Sequence, residues 1–220
     1  MNTARLGQKS PLLSVSDWVQ GESTNFDQLI GRVVLVEVFQ VNCPGCFLYA
    51  LPQATQLHQR YAKRGLSVLG VATAFEDFDK NTLENLTHLA ETGAVVGETL
   101  RTLNEYGLLI DGKLNYRIPF ALGMDRLQAC ANETTGSDID NFIAKRIPDF
   151  AAQSEAYQQQ IRLRVEQYFQ NLLYRAETFE RFDLKGTPSH ILVDKQGILR
   201  DCAFGDYSDL EARIVGLLDE

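Results

Sequence analysis

The sequence holds only 4 cysteines in 220 residues, too sparse a set for a disulfide scaffold in a chain long enough to bury a core without staples. Sixteen glycines and six prolines are too few for a fibrous or low-complexity chain. No apolar run approaches the ~20 residues that span a bilayer. The one apolar stretch near the N-terminus, Leu12 to Val15, is broken by Ser16, Asp17 and Trp18, so no signal-peptide core of about 7 to 15 residues forms. Lys and Arg number 21 against 29 Asp and Glu, a formal charge of −8, and the basic residues do not cluster. Nucleic acid and anionic membrane surfaces both require a concentrated positive field and are set aside as partners. No Gly-rich phosphate loop, Ser/His/Asp arrangement with supporting context, internal repeat or linker composition is present. The chain is expected to be cytoplasmic and to fold as one domain over 1–220 with an insertion.

What is present is an α/β pattern. Val33 to Phe39 is rich in β-branched residues and bounded by Gly31 and by Asn42-Cys43-Pro44-Gly45, which reads as a central buried strand. Phe47 to Arg64 has helical spacing, ends at Gly65 and contains Pro52, where a kink is expected. Leu66 to Ala72 is a second buried strand, and strand, helix, strand in that order predicts a right-handed parallel crossover. A helix is expected over Lys80 to Glu91, a hairpin around Asp111-Gly112 and a strand from Ile118 to Met124.

The segment 125–182 reads as a mainly helical insertion. A capping box at Ser137 and Asp140 opens a short helix ended by Pro148. Tyr157, Ile161, Val165, Tyr168, Leu172, Ala176 and Phe179 then recur at spacings of three and four, which predicts one long amphipathic helix. Its stripe is expected to pack on the domain's own core; a lid or a homodimer contact through 150–182 is the alternative. The chain closes with a hairpin over Ser189 to Phe204 and a helix opened by a second capping box, Ser208 with Glu211.

Cys43-Pro44-Gly45-Cys46 lies where the first strand turns into the first helix. First-turn N–H groups and the helix dipole stabilise an anion there, which lowers a thiol's pKa from about 8.5 toward the range of about 3.5 to 7.5. Cys43 then attacks and Cys46, one turn inside, resolves. A half zinc site is the competing reading, although Cys130, Cys202, His58, His88 and His190 supply no second paired spacing. Inert core cysteines are another. Cys130 and Cys202 are most simply free thiols, and His190 an ordinary strand histidine that alternation could turn toward the site.

Three segments carry a resemblance: "GRVVLVEVFQVNCPGC", "GTPSHILVDKQGILR" and the opening "LGQKSPLLSV" with "NFDQLIG". On these the chain resembles the thioredoxin-fold redoxins of the TlpA-like thiol-disulfide oxidoreductase group. The resemblance implies a thioredoxin-like fold, a central mixed sheet flanked by helices, with the helical insertion before the cis-Pro strand. It also implies a cis Thr187-Pro188 bond beside Cys43, with the backbone of Thr187 pairing with the substrate chain. Pro44, Gly45, Thr187 and Pro188 are substrate-binding residues on that basis. Glu37, six residues before Cys43, matches the buried acid of thioredoxins with Glu in place of Asp. An ionised, unpaired carboxylate in that strand would cost roughly several kcal/mol. Its expected role is to accept the Cys46 proton, its pKa raised by burial; an edge-strand Glu reaching solvent or an Arg is the competing reading.

The chain departs from the family at three places. Asn42 replaces the usual Trp, Phe47 stands where a basic residue is common, and Pro52 comes one residue late. The expected activity is disulfide reduction without a cofactor or metal, acting on a protein or small-molecule disulfide and drawing on a thiol electron donor. A thiol peroxidase on the same fold would need Thr and Pro where Gln40 and Val36 stand. A Cu(I)-binding or adaptor module using Cys43, Cys46 and His190 is the reading from another class.

Overall fold

A strand rich in β-branched residues can bury both of its faces only at the centre of a sheet, and that is where β2 (Val33–Phe39) lies, with all seven residues buried. The structure is a computed structural model that describes residues 3–130, 135–205 and 208–220. By chain contacts it divides into two compact units, Met1–Leu127 with Ala176–Glu220, and Gln128–Arg175.

In the first unit the chain runs β1 (Val15–Gln20), β2, α1 (Leu51–Tyr61), β3 (Leu66–Ala72), α2 (Leu83–Thr92), α3 (Gly97–Glu105), the hairpin β4 (Leu109–Ile110) and β5 (Lys113–Leu114), and β6 (Ala121–Asp125). The chain leaves through β7 (Leu127–Ala129), passes through α4 (Gly136–Arg146) and α5 (Glu155–Asn171), and returns through β8 (Tyr174–Ala176) to α6 (Glu177–Arg181). The hairpin β9 (Ser189–Val193) and β10 (Leu199–Phe204) and the helix α7 (Leu210–Asp219) complete it. The six-stranded sheet has the order β1-β6-β3-β2-β9-β10. β2, β3 and β6 are mutually parallel, whereas β1, β9 and β10 pair antiparallel. This is the expected mixed α/β sheet.

Alternation along β2 divides the core. Val33, Leu35 and Phe39 face one cluster with Cys46, Leu51 and Leu57 from the first helical segment and Ile214 and Leu217 from α7. Val34, Val36 and Val38 face the other, with Phe26, Phe182, Leu184 and Ile191.

Several expectations are corrected. β1 and α3 were not anticipated: β1 is an edge strand without clean alternation, and α3 begins at Val96 with no side-chain cap of its own. The helix after β3 starts three residues later than expected, where the Thr82 side chain accepts the Asn85 N–H. The capping box of α4 is Thr135 with Asp138. The cap of α7 is Asp209, while Glu211 accepts from Tyr61 and Arg60. The long helix ends at Asn171, and no residue of α5 is buried, so its stripe does not serve as core. Within the second unit Phe142 of α4 instead stacks on Tyr168 and meets Phe169 edge-on. The three-and-four spacing continues through Leu172, Ala176 and Phe179, but Tyr174–Ala176 is a strand paired with β7.

A buried acid starts the chain helical again. Asp125 accepts the N–H groups of Thr178 and Phe179 at 2.8 and 3.1 Å and the Thr73 hydroxyl at 2.9 Å. Burial nevertheless pushes its carboxyl from 3.8 up to about 6, the hydrogen bonds offsetting only part of the desolvation. Because the folded value is the higher one, the stability tied to the protonated form is complete below about pH 4 and is lost as pH rises through about 6. Urea unfolding at pH 4 and pH 7 is therefore expected to favour Asp125→Asn over the parent by up to about 3 kcal/mol more at the higher pH. A difference independent of pH would remove Asp125 as the source.

Candidate active site

β2 ends at Phe39 on the Cys46 side of the sheet, and Pro44 opens the helix that follows, a position where its missing N–H and fixed φ are no handicap. Cys43 and Cys46 form a disulfide pair with Cα atoms 5.4 Å apart. The Cys46 N–H points at Cys43 Sγ, 3.4 Å away, and also at the Cys43 carbonyl at 3.0 Å. Cys46 is fully buried, whereas Cys43 is only partly covered. A reagent from solution therefore meets Cys43 first. The turn from Cys46 to Ala50 is wide, with the Leu51 N–H reaching back five residues to the Cys46 carbonyl, and α1 starts there with Pro52 in its first turn. This widened turn lies just before Pro52, where a kink was expected.

Thr187-Pro188 is cis, and the Thr187 carbonyl lies 3.6 Å from Cys43 Sγ. A methyl group built on Gly45 would sit 3.8 Å from Pro188 Cδ, in ordinary van der Waals contact, so Gly45 faces Pro188 across the site. The structure thus brings together Cys43, Cys46, Gly45, Thr187 and Pro188. Glu37 is 1 % exposed, on a central strand and not at an edge, and it leaves the same face of β2 as Leu35 and Phe39, the face that holds Cys46.

Asn42 was legible only as the absence of Trp. In the structure it is a tether: its N–H donates to Asn81 Oδ1 at 2.8 Å, its Nδ2 to Asp77 Oδ2 at 2.8 Å, and its Oδ1 accepts the Glu98 N–H at 2.7 Å. That last bond caps α3 from a distance. Gly97 has a φ of +55°, and any side chain there would collide with Asn42 Oδ1. One polar side chain thus pins the residue before Cys43 to the loop after β3 and to the start of α3. Gln40 is also buried and accepts the Phe75 N–H at 3.3 Å.

The remaining cysteines stand apart. Cys130 is exposed, and Cys202 donates to the Phe182 carbonyl at 3.6 Å, its thiol pushed up to about 12 by burial and by the nearby carboxylates. Among the described residues no three His, Cys, Asp or Glu side chains are grouped to hold a metal, so Cys43, Cys46 and His190 do not converge as ligands. His190 is buried beside Asp201. Among the described residues no helix is long and apolar enough to cross a membrane.

The chain has a thioredoxin-like fold that places a CxxC cysteine pair at disulfide distance beside a cis-proline. Solved structures agree. A thiol-disulfide isomerase from Corynebacterium glutamicum is 26% identical with a TM-score of 0.57, the match covering 96% of this chain and 97% of that one. A thioredoxin-like superfamily protein is 24% identical at the same TM-score and the same two coverages. A thiol:disulfide interchange protein, DsbE, from Chlorobium tepidum shares the fold at 14% identity and a TM-score of 0.50, with 98% and 99% covered. No family model matches the chain, and a sequence search of curated proteins returns no match.

Proposed function

We propose that the protein is a thiol-disulfide oxidoreductase that reduces disulfides of a protein or a small molecule. The observation that carries this reading is the asymmetric Cys43–Cys46 pair, its outer sulfur 3.6 Å from the Thr187 carbonyl. In the reduced protein the Cys46 N–H aimed at Cys43 Sγ favours the thiolate. That thiolate attacks one sulfur of the substrate disulfide, the substrate S–S bond breaks, and the first product leaves as a thiolate. Cys46 gives its proton to Glu37 and attacks Cys43 Sγ, which expels the second thiolate and leaves the 43–46 disulfide. A thiol donor returns the two electrons. No bound cofactor takes part in this scheme.

Thr187 offers its backbone to an extended substrate beside Pro188, while Pro44 and Gly45 form the opposite wall. Gly45 faces Pro188 closely enough that a Cβ there would meet the Pro188 ring in ordinary van der Waals contact. The free thiols Cys130 and Cys202 suit a reducing compartment, which is why we assign a cytoplasmic location. We read the segment 125–182, most of which forms the compact unit Gln128–Arg175, as an insertion within one thioredoxin-like domain, and its 150–182 part as the contact for a second copy of the chain.

Equilibration in graded glutathione buffers, with free thiols counted by an alkylating mass tag, tests the central claim. The expected result is one reversible two-electron transition confined to Cys43 and Cys46, between about −270 and −120 mV. Failure of the pair to open and close reversibly would overturn the assignment.

A further inference from the structure

Glu37 has a polar companion on the inner face of the sheet. Its cross-strand partner on β9 is His190, 2 % exposed. Residues directly opposite in antiparallel strands carry Cβ atoms about 5 Å apart on one face. His190 shares that face with Leu192, which belongs to the cluster around Cys46. On the next strand His190 Nε2 lies 3.1 Å from Asp201 Oδ2, and the same oxygen accepts from Arg213 Nη1 of α7 at 2.7 Å. The Arg213 side chain is half exposed.

Four side chains therefore line up from the Cys46 face of the sheet to solvent: Glu37 on β2, His190 on β9, Asp201 on β10 and Arg213 on α7. Leu51 and Leu57 of α1, with Ile214 and Leu217 of α7, belong to the apolar cluster on this face. Apart from the buried Ser189, the other residues of β9 are Ile191, Leu192 and Val193, and an apolar side chain at position 190 would avoid the desolvation cost of an imidazole. Packing alone gives no reason for histidine there.

We propose that His190 is a positioning residue that carries protons between the buried Glu37 carboxylate and the surface. The inference rests on the role given to Glu37 above. During resolution the Cys46 thiol transfers its proton to the Glu37 carboxylate. The neutral acid passes it to His190 at Nδ1, the buried nitrogen, and the imidazolium releases the proton on Nε2 toward Asp201 and solvent. Glu37 is thereby ionised again before the next turnover, and no electron moves along the row. Arg213 donates to the Asp201 oxygen that faces His190, so the imidazolium has a hydrogen-bonded carboxylate partner while it exists. When a thiol donor reduces the 43–46 disulfide, the same row returns a proton to Cys46.

Stopped-flow reaction of the reduced protein, in a Cys130→Ser background, with a chromogenic aryl disulfide tests this. One aryl thiol is released when Cys43 attacks and a second when Cys46 resolves, so the two steps are read separately. His190→Leu is expected to slow the second phase about tenfold and leave the first within about twofold. Asp201→Asn, which keeps the shape of the row and removes its charge, is expected to slow the second phase about threefold and serves if the His190 variant fails to fold. Because the residues act as one unit, adding His190→Leu to Glu37→Gln should slow the second phase no further than Glu37→Gln alone. Second phases at the parent rate in the His190 and Asp201 variants, or effects of His190 and Glu37 that multiply, would overturn the inference while leaving Glu37 in place. A Glu37→Gln protein that resolves at the parent rate would overturn both.

Discussion

Cys43→Ser is expected to abolish turnover, and Cys46→Ser to leave the protein joined to its substrate. The two cysteines differ in what they can reach. Cys43 is partly exposed, receives the Cys46 N–H on its sulfur and faces the Thr187 carbonyl; Cys46 is wholly buried in the cluster with Leu51 and Leu57. A serine at 43 removes the only sulfur of the pair that a substrate can meet, and Cys46 cannot replace it from its buried position. Loss of an activated nucleophile typically costs on the order of 10³-fold or more in rate. A serine at 46 leaves attack intact but removes the sulfur that would expel the second product, so the Cys43 mixed disulfide persists. Mass spectrometry of the Cys46→Ser protein after incubation with cell extract should show adducts on Cys43 that dithiothreitol releases. An unmodified Cys43 under those conditions would remove the main support for the exchange mechanism. Full turnover by Cys43→Ser would reverse the assignment of the two sulfurs.

The features legible in the sequence are those that local pattern encodes. The run Val33 to Phe39 could be buried on both faces only in mid-sheet, and Cys43-Pro44-Gly45-Cys46 between strand and helix set one sulfur out and one in. The cis Thr187-Pro188 bond came from the resemblance, since nothing in its neighbours dictates a partner 144 residues away. What stayed hidden depends on distant partners. α3 lacks a cap of its own and takes one from Asn42, and α6 begins because Asp125 accepts its first N–H groups. Periodicity carried the long helix past Asn171 because spacing records which side chains share a face and not whether the backbone's hydrogen bonds continue. The row from Glu37 to Arg213 spans three strands and a helix, and only the strand register aligns it. Asn42 had a local signal, a polar side chain in place of an aromatic one, but its three partners lie on other segments.

Glu37→Gln is expected to separate the two chemical steps. Glutamine keeps the volume and the hydrogen-bonding reach of the glutamate and loses its ability to take a proton at neutral pH. Initial attack uses Cys43, whose sulfur receives the Cys46 N–H, so the first phase of aryl thiol release should stay within about twofold of the parent. Resolution begins with Cys46 buried and protonated. Ionising it without a nearby acceptor leaves a bare anion in an apolar cluster, and the loss of a positioned base typically slows such a step about 10² to 10⁴-fold. The second phase is the place to find that loss, at about 10²-fold given that water can stand in for part of the acceptor's role. Raising the pH should restore part of the lost rate, because hydroxide can then take the Cys46 proton directly, whereas a defect of packing would not respond. Equal second phases in parent and variant would return Glu37 to a structural role and leave the buried carboxylate without a part in the chemistry.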